Sequence, residues 1–309
     1  MTGAPSLLVI AGATATGKSG LAIRTALALR ADGIPAEIVS ADSRQVFSGL
    51  DIGTAKVTVL EREGVPHHGL NLVDPDQPFS LADFSEHVGT VLPRIAGAGG
   101  VAILVGGTGL YLRAIAAGID TDALPSDAVI RAGLEAEMLA GGLGPLAERL
   151  RAVAPIRAAR IDLQNPRRVV RALEIAMIDG GVGPLPPRRG YRGPMAWIGL
   201  IPDDRHEDWI RTRAQAQFDE GLLDEAAALR RRFDPALPAF SAISYREAWD
   251  VLAGTIAIDA AVASVTQRSV AFAKRQRTWF RSERGIEWLG ATDPGLDARV
   301  LAVARTLQG

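Results

Sequence analysis

Residues Gly12-Ala13-Thr14-Ala15-Thr16-Gly17-Lys18-Ser19 fit the pattern G-x-x-x-x-G-K-[ST] at every fixed position. Leu7–Ala11 comes just before, a short apolar run that reads as a buried strand. Gly17 to about Ala31 is rich in Ala, Leu and Arg and reads as a helix, stopped by Asp32-Gly33. Glycines in such a loop let the backbone wrap closely around phosphate oxygens. Several N–H groups then point at the anion together with the helix N-terminus. Lys18 adds a point charge, and Ser19 can ligate Mg²⁺ that bridges phosphates. An incidental Gly-rich turn would lack the strand on one side and the helix on the other.

Glu37–Ser40 reads as a second strand. Val101–Val105 reads as a third, followed by Gly106-Gly107-Thr108-Gly109 and a helix from Leu110. Strands alternating with helices predict a parallel sheet covered on both faces. From Ser126 to about Asp179 the segments read as helical, and Gly180–Pro194 reads as a Gly- and Pro-dense linker. Trp197–Ile201 is strand-like again. Helical patterns fill Asp204–Arg232, Tyr245–Leu252 and Ala260–Arg281. The expected fold is α/β, a P-loop NTPase-like parallel sheet core with a helical insertion domain. The core spans residues 1–118 and 195–309, and the insertion spans 119–194.

With 309 residues, 48% apolar and 22% charged, the chain can bury a large core. It has no cysteine, which excludes disulfides and thiolate metal sites and fits a cytoplasmic setting. No apolar run is long enough to predict a membrane helix, and the first residues lack the charged region of a signal peptide. A net charge of −1 means that any nucleic-acid contact must come from local patches. Arg151–Arg171 holds six Arg against Asp162, and Arg268–Arg284 holds five Arg and Lys274 against Glu283. Each patch alone also reads as a solvated, salt-bridged helix face. His67-His68 lacks a third ligand nearby, so no zinc site is expected. Trp279-Phe280 reads as helix core ahead of a base-stacking pair.

The loop implies phosphate binding but not nucleotide hydrolysis. A P-loop NTPase holds Mg²⁺ with an Asp at the end of another strand, and here Val101–Val105 ends in Gly106. Asp42 follows the second strand, on the sheet edge where α/β enzymes bind ligands. A carboxylate there can accept a proton from a nucleophile, hydrogen-bond a base, hold Mg²⁺ through water, or cap a helix.

Several segments in order resemble the tRNA dimethylallyltransferase (IPP transferase) family. They are Gly12–Ser19, Ser40-Ala41-Asp42-Ser43-Arg44-Gln45, Asp51-Ile52-Gly53-Thr54-Ala55-Lys56 and Pro66-His67-His68. Phe79–Phe84, Gly106–Tyr111, Asn165–Arg168, Arg171–Glu174, Ala273–Gln276 and Thr278–Arg281 continue the series. The resemblance implies transfer of a dimethylallyl group from dimethylallyl diphosphate to N6 of the adenine 3′ of the tRNA anticodon. By the same resemblance Asp42 is the general base. Gly12, Thr14, Ala15, Thr16, Gly17, Lys18 and Ser19 bind diphosphate, and Arg213 approaches it. Thr108 lies close to the tRNA. Ser43, Arg44, Gln45, Arg131, Gln164, Asn165, Pro166, Arg167, Arg168, Lys274 and Arg275 contact it. Mg²⁺ is the expected cofactor, with Ser19 as its ligand, and a monomer is expected. Two positions depart from the family pattern. Val57 stands where Pro is usual, and Ser244 stands where Gly is usual before Tyr245-Arg246.

Such chemistry needs donors aimed at the charge that grows on the leaving diphosphate. The target base must leave its stack to reach a buried donor. The rivals are an adenylate prenyltransferase acting on AMP or ADP, a small-molecule P-loop kinase, and a noncatalytic nucleotide-dependent RNA-binding module. The Arg-rich insertion argues against the first, and the missing strand-end carboxylate against the second.

Overall fold

The computed structural model describes residues 3–119, 125–181 and 189–308. Two compact units emerge, residues 1–118 with 190–309, and residues 119–189. The first unit begins with β1 (Ser6–Gly12), α1 (Lys18–Ala31), β2 (Ala36–Ser40), β3 (His67–His68), α2 (Leu81–Gly97), β4 (Val101–Gly106) and α3 (Gly109–Ala116). The second unit holds α4 (Ala128–Gly141), α5 (Leu143–Val153), the short α6 (Pro155–Ala158) and α7 (Pro166–Asp179). The first unit resumes with β5 (Met195–Ile201), α8 (His206–Asp219), α9 (Leu222–Arg232), α10 (Tyr245–Leu252), α11 (Ile258–Arg281), β6 (Ile286–Gly290) and α12 (Leu296–Thr306). No helix among the described residues is long and apolar enough to cross a membrane.

The six strands form one sheet in the order β3-β2-β4-β1-β5-β6, and every neighbouring pair is parallel. Period-two alternation divides each central strand between two cores. Leu7, Val9 and Ala11 of β1 join Ala102, Leu104 and Trp197 on one face, under α2, α3 and α8 to α11. Leu8 and Ile10 join Val101, Ile103, Ile198 and Leu200 on the other. That second face is covered by α1, through Leu21, Ala22, Ala26 and Leu29, and by α12, through Leu296, Val300 and Ala304 at helical spacing. Because β4 lies between β1 and β2, the chain leaves β1 and crosses β4 to reach β2. The carboxyl ends of β1, β2 and β4 therefore face one crevice, where open parallel sheets bind ligands.

Some elements differ from the sequence reading. The helical stretch 204–232 is two helices, because Gly221 takes φ 104 and ends the first. The edge strands β3 and β6 were not expected. The second unit ends at residue 189. Residues 182–188 of the expected Gly180–Pro194 linker lie outside the described residues.

The Asp51–Lys56 turn is tied down from several sides. The Glu225 carboxylate on α9 accepts the backbone N–H groups of Asp51, Ile52 and Gly53 at 3.0, 2.7 and 3.0 Å, and the Tyr245 hydroxyl at 2.7 Å. Gln217 Nε2 donates to Ile52 O and Gly53 O. Buried Lys56 donates to Phe47 O, Asp51 Oδ1 and Asn71 Oδ1. Ser244, in place of the usual Gly, sits at φ 99, a region L residues rarely adopt, with its hydroxyl on Gln217 Oε1 at 3.1 Å. Losing the Glu225 carboxylate orphans three N–H groups and a buried phenol. Glu225→Ala is expected to lower unfolding free energy by about 1.5–3 kcal/mol, as for hydrogen bonds to a charged group. Chemical denaturation checks this, and a change within about 0.5 kcal/mol would show that the turn holds without it.

Candidate active site

The phosphate loop joins the end of β1 to α1. Gly17 takes φ 77 at the start of the helix, a conformation open to glycine at little cost, and Ala15 adopts φ 59. Alternating right- and left-handed residues turn successive N–H groups to the same side, forming an anion nest. Ala13 O accepts from Lys18 Nζ at 2.6 Å and from Thr16 Oγ1 at 2.9 Å. The N–H of Thr14 donates to Gln276 Oε1 at 2.8 Å, so among the loop amides this one is already engaged.

One narrow cavity of about 70 Å³ gathers Thr14, Lys18, Ser19, Asp42, Gln45 and Arg213, together with apolar Ile38, Val57, Leu70, Val105 and Phe272. Asp42 follows β2, and its Oδ1 accepts the Arg44 N–H at 2.8 Å. The Thr108 hydroxyl, just past β4, accepts the Ser43 N–H at 3.0 Å and so ties the Asp42 loop to the β4 end. Gln45 Nε2 donates to Thr54 O and Ala55 O, while its Oε1 accepts from Ser40 Oγ. Arg213 also reaches Thr54 O, at 3.4 Å. The fastened Asp51–Lys56 turn therefore presents carbonyls that orient Gln45 and Arg213. Gly107 allows Gln276 to approach: a Cβ there would lie 2.2 Å from Gln276 Nε2.

The other expected residues have varied settings. On the second unit, Asn165 caps α7 through Arg168 N at 3.2 Å and Pro166 opens the helix, while Gln164, Arg167 and Arg168 are exposed. Arg131 is committed to Glu174, which is fully buried and also pairs with Arg171. Burial opposes the Glu174 charge, but the hydrogen bonds of Arg131 and Arg171 prevail and hold its pKa down to about 2. Arg157 is buried in an ion pair with Asp179. The Arg151–Arg171 patch thus splits, with Arg157 and Arg171 holding the unit together and Arg151, Arg160, Arg167 and Arg168 exposed. On α11, Lys274 lines a groove beside α8, whereas Arg275 lies 5.8 Å over the Phe272 ring. Phe280 is buried, and Trp279 carries Arg113 on its ring at 4.1 Å. His68 Nε2 meets Glu37 at 2.6 Å.

Sequence reasoning gave no role to Gln276 and did not single out His206, whose Nε2 lies 2.8 Å from Thr14 O. Gln276 stands within a quoted motif, but nothing in the local pattern points His206 toward a loop 192 residues away.

The cavity is electropositive. Burial, and then the neighbouring Arg213 guanidinium, push the Lys18 ammonium down to about 7, against the pull of Asp42. Burial depresses Arg213 too, with Asp42 opposing. Two crowded cations, a nest of N–H groups and one carboxylate suit a bound anion beside a group that must lose a proton. Among the described residues no cluster of three or more His, Asp or Glu is placed to hold a metal. Ser19 and Asp42 offer hard oxygens to an ion that takes its remaining ligands from phosphate and water, the usual habit of Mg²⁺.

Residues 45–283 match the family model described as IPP transferase. A tRNA dimethylallyltransferase from Anaeromyxobacter sp. is 43% identical over 96% of this chain and 95% of its own. Another from Symbiobacterium thermophilum is 40% identical over 93% and 90%. The crystal structure of a tRNA isopentenylpyrophosphate transferase from Bacillus halodurans superposes with a TM-score of 0.69 at 35% identity, covering 97% of this chain and 95% of that one.

The Lys18 setting makes anion binding pH-dependent. Above about pH 7 the unliganded amine is mostly neutral, and a bound anion restores its proton. Diphosphate affinity is therefore expected to fall as pH rises past about 7, with proton uptake on binding. Calorimetry in buffers of differing ionisation enthalpy measures the uptake, which Lys18→Met should abolish.

Proposed function

This chain belongs to the IPP transferase family, and from that premise we propose that it is a tRNA dimethylallyltransferase. It transfers a dimethylallyl group from dimethylallyl diphosphate to N6 of the adenine 3′ of the anticodon and releases diphosphate. The observation that carries this reading is the meeting of Asp42 with Lys18, Ser19 and Arg213 in one cavity with apolar walls. The diphosphate lies in the loop nest, facing Lys18 and Arg213. As the allylic C–O bond breaks, its electron pair goes to the diphosphate, where these preorganised donors are worth most, about 2.7–4 kcal/mol each. The adenine amine is a weak nucleophile. Its nitrogen forms the new C–N bond, and Asp42 takes the proton that it sheds. Ile38, Leu70, Val105 and Phe272 suit a prenyl chain and keep water from a cation-like carbon. Mg²⁺, held by Ser19, would supply further charge to the departing diphosphate.

The exposed Arg167 and Arg168 of the second unit, beside the Asn165-Pro166 helix start, suit phosphate contacts that orient an RNA without reading its sequence. Ser43, Arg44 and Gln45 flank Asp42 and suit the target base and its neighbours.

Three measurements test the reading. Radiolabelled dimethylallyl diphosphate with Mg²⁺ and the purified protein should label unmodified tRNA and leave AMP unlabelled. Label in AMP alone would move the protein to the adenylate-modifying class. Asp42→Ala is expected to lower kcat by roughly 10²–10⁴-fold with little change in tRNA affinity, as for a general base. Parallel losses of turnover and affinity would remove that role. Arg167→Ala with Arg168→Ala should weaken tRNA binding and reduce its salt slope by about one per lost phosphate contact. An unchanged slope would leave both arginines as a solvated helix face.

A further inference from the structure

Thr14 is gripped at both its N–H and its C=O by residues distant in sequence. On α11, Gln276 accepts the Thr14 N–H at Oε1 and donates from Nε2 to Gly107 O at 2.9 Å. On α8, His206 Nε2 lies 2.8 Å from Thr14 O. A carbonyl only accepts, so Nε2 carries the proton. Both side chains are buried, at 7% exposure each.

Trans peptide geometry turns these grips into a directional constraint. In a trans peptide the C=O and the following N–H point to opposite sides, and the described residues contain no cis bond. With Thr14 O turned to His206, the Ala15 N–H must face away from α8. With the Thr14 N–H turned to Gln276, the Ala13 carbonyl faces away from α11, where it receives Lys18 Nζ and Thr16 Oγ1. Ala15 then takes its left-handed φ of 59 and continues the nest.

We propose that Gln276 and His206 are positioning residues of the diphosphate site. Together they fix the two peptides that flank Thr14, so that the Ala15 N–H is presented to the diphosphate and the Ala13 carbonyl holds Lys18 in place. Neither side chain needs to touch the ligand. The inference rests on the diphosphate reading of the loop and goes beyond it by assigning what sets the loop's shape.

The test uses inorganic pyrophosphate as the probe, with tRNA affinity, turnover and thermal stability followed alongside. Gln276→Leu and His206→Leu should each weaken pyrophosphate binding about tenfold or more. Each should cut kcat by about 10²-fold, the scale of a misplaced reacting group, while tRNA affinity stays unchanged. His206→Gln keeps a donor and should recover most of the binding. Should the leucine variants fail to fold, His206→Asn, whose shorter amide falls short of Thr14 O, replaces them against His206→Gln and should bind as weakly as predicted for leucine. Unchanged pyrophosphate affinity in folded variants would overturn the inference alone. Failure of the unaltered protein to bind pyrophosphate would overturn the diphosphate reading and the inference with it.

Discussion

Two cations share one small cavity, and the rest of the first unit is arranged to keep them there. Lys18 and Arg213 repel each other, and burial disfavours the charge of both. Asp42 is the carboxylate that opposes them. Without an anion this is a poor arrangement, and only strong external restraint can hold it. Lys18 is restrained by Ala13 O, and Arg213 by Thr54 O. Ala13 O belongs to the peptide whose N–H bonds Gln276, and Thr54 O to the turn that Glu225, Gln217 and Lys56 fasten. A diphosphate bound there, as proposed, would replace repulsion with attraction.

The same logic explains why a motif such as Asp51–Lys56 can sit beside the site without supplying chemistry. Two of its polar side chains point into the scaffold: Lys56 is buried against Phe47 O and Asn71, and Thr54 Oγ1 bonds Leu50 O at 2.5 Å. What it offers the cavity is backbone. Ser244 shows the load that this scaffold bears, because a non-glycine residue is held at φ 99 with its hydroxyl on the glutamine that grips the turn.

Local signals carried the readable part of the fold. β1 and β4 are apolar runs buried on both faces, β2 and β5 have buried apolar centres at Ile38-Val39 and Trp197–Leu200, and the loop at Gly12–Ser19 announces itself by spacing. β3 has two residues, too few for any pattern, and β6 is largely exposed, so its sequence does not read as core. In the site, Lys18 and Asp42 follow strand ends and were legible from that position. Arg213 entered through family resemblance, and Gln276 and His206 gained roles only from three-dimensional proximity. A run of arginines cannot show which members are ion-paired; Arg157 and Arg171 became structural only when Asp179 and Glu174 were found beside them.

The distance in sequence between the phosphate loop and its grips has a consequence for biosynthesis. The Thr14 to Gln276 bond joins residues 262 positions apart, and β1 pairs on both edges with strands made much later, β4 and β5. During translation the N-terminal segment emerges first, and it carries an apolar strand whose partners do not yet exist, a form prone to sticking. The Thr14 to Gln276 bond waits for α11, made long after the loop itself. A chain cut short before that helix has the whole Gly12–Ser19 motif in its sequence and lacks the Gln276 side chain that bonds the Thr14 N–H.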